Sequence, residues 1–139
     1  MALRGDDIVG LSRGAKNKLQ LLKGESKSRA ALATEVLNEA AEALDRDRGR
    51  PSRHSVLFVA DRLREQGKDD LAKDLEEAVL QGFRGYTVEH LLFALTGSNP
   101  ENLLSEHLKA CARKRSRRHA VGVWIKDHGR FIDKLFGGL

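Results

Sequence analysis

The sequence predicts an all-α fold, a compact bundle of about seven helices around a hydrophobic central helix. Two observations lead there. Pro occurs only at Pro51 and Pro100, and β-branched residues are sparse. Apolar residues also recur at intervals of three and four, as in Ala33, Leu37, Ala40 and Leu44. A chain of 139 residues fits one domain, residues 1–139, large enough to bury a core. With 40% apolar and 32% charged residues it is too apolar for disorder.

A first helix is expected over Asp7 to Leu22, with Ile8, Leu11, Ala15, Leu19 and Leu22 on one stripe. Gly24 to Ser28 reads as a break, and Ser28 can cap a second helix from Arg29 to about Asp47, before Gly49-Arg50-Pro51. Ser52 can cap a third helix that ends at the Gly67 stop. A fourth runs from Lys68 to about Gln81, with Leu71, Leu75, Ala78 and Val79 inward. After Gly82 and Gly85, Thr87 can cap a fifth helix made of Val88, Leu91, Leu92 and Leu95. This is the most apolar segment and hence the expected buried centre. Asn99, with Pro100 at the first position, can cap a sixth helix through Leu103, Leu104, Leu108 and Ala112. The lone Trp124 opens a short terminal helix broken at Gly129, and a second turn offers Phe131, Leu135 and Phe136 to one face. That cap is expected to dock against the bundle, with Trp124 buried.

The net charge of +5 is unevenly placed, acidic in the middle and basic toward the end. Its densest cluster is Arg113, Lys114, Arg115, Arg117 and Arg118, a phosphate-binding patch or a solvated helix face. The single Cys111 excludes an intrachain disulfide and suits a reducing compartment. No secretory signal and no apolar run long enough to span a membrane occur, so a cytoplasmic protein is expected. His107 and Cys111 lie four apart, with His119 beyond them, a spacing that suits a metal or a thiolate–imidazole pair. Without a second cluster, neither a metal, a cofactor nor enzymatic activity is expected. No Gly-rich phosphate loop, interpretable catalytic carboxylate pair or nucleophile elbow is evident.

Three segments together resemble the homology motifs of the Bcl family of apoptosis regulators. Leu37-Asn38-Glu39-Ala40-Ala41-Glu42 is similar to its third motif, with Ala41 for the usual Gly and Glu42 for the usual Asp. Gly82-Phe83-Arg84-Gly85-Tyr86-Thr87-Val88 stands where the first motif opens the central helix, and Trp124-Ile125-Lys126-Asp127-His128-Gly129-Arg130-Phe131 resembles the second. The resemblance implies an anti-apoptotic, virus-like protein whose surface groove takes the amphipathic death-motif helix of a pro-apoptotic partner. Implied groove residues are Leu44, Val56, Val59, Leu63, Leu71, Leu75, Val88 and Leu92, with Arg84 meeting the ligand's acid. It also implies recruitment to a host cell's mitochondrial surface, and leaves room for a homodimer. The competing reading is a small basic helical nucleic-acid-binding protein that uses the Arg113–Arg118 patch. A death-fold adaptor, suggested by Lys68-Asp69-Asp70-Leu71, is a third.

Overall fold

The computed structural model describes residues 6–112 and 116–136 and shows a mixed α/β fold, which overturns the expected helical bundle. Among the described residues, one four-stranded sheet has the order β1-β2-β3-β4. Strands β1 (Ile8–Arg13) and β2 (Leu19–Arg29) form an antiparallel hairpin. Strands β3 (Thr87–Thr96) and β4 (Arg118–Trp124) extend it in parallel. Five α-helices accompany the sheet among the described residues: α1 (Thr34–Asp45), α2 (Arg53–Glu65), α3 (Asp69–Leu80), α4 (Glu101–Cys111) and α5 (His128–Phe136). None of them is long and apolar enough to cross a membrane.

The expected first helix is the β1–β2 hairpin. Its apolar residues fit a helical period, but Gly10 and Gly14 would each cost a helix about 1 kcal/mol. The chain reverses where Lys16 and Asn17 take a left-handed φ of 59°, and the Gly14 amide donates to the Lys18 carbonyl at 2.8 Å. Period two then governs, burying Leu19 and Leu21 while Gln20 stays exposed. The expected fifth helix is β3. A strand paired on both sides in parallel carries apolar residues on both faces, which erases the alternation that marks a strand. It is nevertheless central, with Leu92 and Ala94 fully buried.

The helices between β2 and β4 follow their sequence signals more closely. Ser52 caps α2, its Oγ accepting from the Ser55 amide at 3.2 Å. Helix α3 matches the expected fourth helix, and α1 is a shortened second helix. Asn99 accepts from the Glu101 amide at 3.1 Å, ahead of α4. At the C-terminus the expectation fails: Trp124 ends a strand and is 60% exposed, and α5 runs through Gly129. Phe136 closes α5, and its side chain, like residues 137–139, lies outside what is described.

Helices α1 to α4 pack on one face of the sheet and bury two separate apolar clusters. Val56 and Leu75 join Leu19, Leu21 and Phe83 in the first, with Val59, Leu63, Leu71 and Val88 against its edge. Leu44 and Leu92 join Leu37 and Leu104 in the second. Between the two runs a row of basic side chains, because Lys23, His90 and Arg118 are register partners on adjacent strands. Lys23 and His90 are buried, and the Arg118 side chain is 2% exposed.

Candidate active site

The C-terminal half of β2 carries Glu25 and Lys27 two residues apart, hence on one face of the strand, the face that holds α1. Asp7 stands just before β1, and hairpin register places Ile8 beside Gly24. Its carboxylate accepts from the Ser26 amide at 3.0 Å, fixing it next to the other two. Helix α1 closes the opposite side with Glu39 and Glu42, and Arg46 follows it. These residues line an open pocket of about 600 Å³.

Charge in the pocket is arranged around Lys27. Its Nζ lies 3.8 Å from Glu25 and 3.7 Å from Glu39. Glu25 and Lys27 are largely withdrawn from solvent, whereas Glu39 is exposed. Burial pushes the Glu25 carboxyl above the usual carboxylate range and the Asp7 charge adds to the rise, while Lys27 and Arg46 oppose it. A positive charge placed between Asp7 and Glu25 would relieve that repulsion. Among the described residues no group of three or more His, Cys, Asp or Glu side chains could hold a metal ion. Mg²⁺ needs no such cage: it is commonly held by one or two carboxylates, several waters and a substrate phosphate. The Asp7–Glu25 pair fits that pattern.

A second polar assembly lies beneath the turn Arg46–Gly49. Lys23 Nζ donates to the carbonyls of Arg46 and Arg50, each at 2.9 Å, and stands 3.6 Å from Asp6. His90 Nε2 lies 2.7 Å from the Gly49 carbonyl, and its Nδ1 lies 3.2 Å from Arg118. A neutral imidazole satisfies both contacts, donating from Nε2 and accepting at Nδ1. Burial, opposed by the Gly49 hydrogen bond, pushes the His90 pKa down, in keeping with that form. Arg118 also reaches Asp45 at 2.9 Å and Cys111 Sγ at 3.1 Å.

The sequence matches the family model described as HamA over residues 1–139. The chain belongs to the HamA family. No curated protein matches it. The family match overturns the Bcl assignment and leaves the apoptotic and viral reading that rested on it without support. Physically, the three segments that suggested that family do not form one surface in this HamA chain. The first supplies core residues Leu37, Ala40 and Leu44 of α1. The second is the α3–β3 connection and the start of β3, and the third is the end of β4 with a turn and the start of α5. Of the implied groove residues, Leu44, Val56, Leu75 and Leu92 are fully buried. Val59, Leu63, Leu71 and Val88 pack against the first cluster, that of Val56 and Leu75, and among the implied groove residues only Arg84 is exposed.

The basic patch is divided in this HamA chain. Arg113, Lys114 and Arg115 lie outside the described residues, Arg117 is exposed, and Arg118 belongs to the buried row. His107 and Cys111 do meet, at 3.7 Å, but His119 is elsewhere, 2.9 Å from Glu89. The residues that sequence reasoning missed are Asp7, Glu25 and Lys27. The alternation Leu19, Leu21, Lys23, Glu25, Lys27 was the signal available. Gly24, Ser26 and Ser28, residue types that also mark a break between helices, hide it.

Proposed function

We propose that this HamA-family protein hydrolyses phosphodiesters of nucleic acid with a divalent cation held by Asp7 and Glu25. The observation that carries the reading is the convergence of these two carboxylates and Lys27 in one open pocket at the end of β2. The sequence alone suggested no enzyme, because the pair straddles a hairpin and only the fold joins it. A cation bound there would supply Lewis-acid polarisation of the phosphoryl oxygen and a water of lowered pKa.

The protein's own groups supply the rest. Asp7, pinned by the Ser26 amide, and Glu25, fixed by the pleat of β2, orient the site without loop motion. Lys27, placed by Glu25 and Glu39, offers its ammonium to the charge that develops on the phosphoryl oxygens as water attacks. The new bond joins the water oxygen to phosphorus, and one phosphorus–oxygen ester bond breaks. The attacking water gives up a proton, and the leaving oxygen takes one from solvent. The positive net charge favours capture of a polyanion over a neutral ester.

The test is hydrolysis of bis(p-nitrophenyl) phosphate and of a labelled oligonucleotide, with Mg²⁺ or Mn²⁺ titrated in. Asp7→Asn, Glu25→Gln and Lys27→Met should each lower the rate at least about a hundredfold while circular dichroism stays unchanged. Hydrolysis that survives chelation of the metal, or survives all three substitutions, would sink the reading.

A further inference from the structure

Two connections in this fold expose arginines from strained backbone. In the turn after α1, Asp47, Arg48 and Gly49 take φ of 55°, 60° and 76° in succession. In the α3–β3 connection, Gly82, Phe83 and Gly85 take 60°, 60° and 74°. Left-handed residues other than Gly are unfavourable and persist only where surrounding structure over-determines them. Here it does. The first turn sends the carbonyls of Arg46, Gly49 and Arg50 inward onto Lys23 and His90. The second is anchored by Phe83, which is 8% exposed and sits in the first apolar cluster.

What these pinned turns present outward is Arg48, Arg50 and Arg84. The three line two cavities in common, of about 490 and 610 Å³, and Arg117 joins them in the first. Among the described residues, no carboxylate or hydrogen-bond partner engages any of the four guanidinium groups. The only acid among the described residues lining these cavities is Glu89, which is 2.9 Å from His119. Unneutralised arginines on rigid backbone form a preorganised anion site.

We infer that this arginine groove is a binding subsite for the phosphodiester backbone of a nucleic-acid strand, separate from the carboxylate pocket and leading to it. Continuity supports the assignment. Arg46 lines the carboxylate pocket while Arg48 and Arg50 line the groove, so one turn spans both. Four residues reach at most about 14 Å, the rise of about four nucleotides in one strand of a duplex. Along β2, Glu25 is four residues from Leu21, the register partner of Val88 at the groove, which gives a similar span of about 13 Å. A strand that occupied the groove would thus reach the pocket within a few phosphates. The directional part of this inference rests on the proposed hydrolytic role of the pocket; the groove's affinity for the strand does not.

The experiment measures fluorescence anisotropy of a labelled 20-nucleotide oligonucleotide, as single strand and as duplex, in EDTA and across a KCl series (about 20 nucleotides outspan the four-nucleotide reach). Arg48→Asn, Arg50→Ser and Arg84→Ser combined should weaken binding at least tenfold and lower the slope of log affinity against log salt by about 2–3. Asn is chosen at Arg48 because it tolerates left-handed backbone. Arg84→Lys alone should keep most of the binding, and Arg62→Ser, on the exposed face of α2, should change neither affinity nor slope. Equal affinity and slope in the triple variant would overturn the inference, as would an equal loss in Arg62→Ser. A parallel assay on bis(p-nitrophenyl) phosphate separates the two readings. The triple variant should lose oligonucleotide binding by a larger factor than it loses hydrolysis of this small diester, whereas Asp7→Asn should lose the hydrolysis and keep the binding. If wild type leaves that diester intact, the hydrolytic reading fails, and the groove is still decided by anisotropy.

Discussion

Replacing Lys23 with Met removes a fully enclosed ammonium, 1% exposed, and keeps most of its alkyl stem. Two effects oppose each other. Burial pushes the Lys23 pKa below its ordinary value, and the Asp6 charge only partly restores it, so the native fold carries a net cost for that charge. Met relieves this cost. It also strips the carbonyls of Arg46 and Arg50 of their donor and leaves the Asp6 carboxylate, 6% exposed, without its cation. Removing one partner of a buried pair typically costs about 3–5 kcal/mol, and an orphaned carbonyl about 1–3 kcal/mol. Asp6 keeps the Ser52 amide at 2.7 Å, which holds the total toward the lower end. The expected loss is about 3–4 kcal/mol, a fall in Tm of about 10–14 °C for a domain of this size.

Urea unfolding followed by circular dichroism measures it, with Asp6→Asn and the double variant completing a cycle. The double variant should be more stable than the sum of single losses by at least about 1 kcal/mol, since no buried charge then stands alone. The pH dependence carries a further sign. The folded pKa lies below the unfolded one, so the cost is fully present below the folded pKa and is relieved as pH rises through the window beneath 10.5. Wild type should therefore gain stability relative to Lys23→Met across that alkaline window. A single-variant loss below about 1 kcal/mol, or strict additivity in the cycle, would refute the view that Lys23 pins the turn over the sheet.

Gly122→Ala should cost about 1–3 kcal/mol by overpacking, because a Cβ there would lie 2.7 Å from Pro100 and 2.8 Å from Leu104; urea melts report it. Trp124→Ala should cost less than about 1.5 kcal/mol, since the ring is largely exposed, and wild-type emission should be that of a solvated indole. A blue-shifted emission would contradict the placement. Glu25→Gln should raise stability at neutral pH while removing hydrolysis. A folded pKa above the unfolded value of 4.5 means that stability is fully present below 4.5 and lost as pH rises through the folded pKa. The variant should lack that loss, and a less stable Glu25→Gln at pH 7 would count against the charge repulsion.

Helices α2 and α3 were legible because their signals are local: a Ser cap, a Gly stop and an uninterrupted amphipathic period. The sheet was not, for three different reasons. In β1 and β2 the apolar residues happened to satisfy both periods, and only Gly10 and Gly14 argued against a helix. In β3, apolar residues on both faces removed the alternation. In β4, Val121 and Val123 do alternate, but the strand is short and Trp124 at its end equally suits the start of an amphipathic capping helix. Similar patterns beginning at Ser55-Val56 and Thr87-Val88 became a helix and a strand, so composition alone did not decide between them. The candidate site was hidden at a further level. Asp7 and Glu25 meet only through hairpin register, and Glu39 reaches Lys27 only because α1 folds back on the sheet.

The buried basic side chains and the strained turn explain each other. Lys23 and His90 would be poor choices for a sheet core, because each brings polar hydrogens that apolar neighbours cannot satisfy. Asp47, Arg48 and Gly49 would be a poor turn, because left-handed conformations at non-Gly residues cost roughly 1 kcal/mol or more each. Placed together, the turn supplies three inward carbonyls and the sheet supplies the donors. Gly49 is the position with least freedom, with φ of 76° and a would-be Cβ 3.2 Å from the His90 ring. An apolar row in place of Lys23, His90 and Arg118 would join the two core clusters but leave the turn without anchors. The division of the core is thus what holds Arg46 at the carboxylate pocket and Arg48 and Arg50 at the groove.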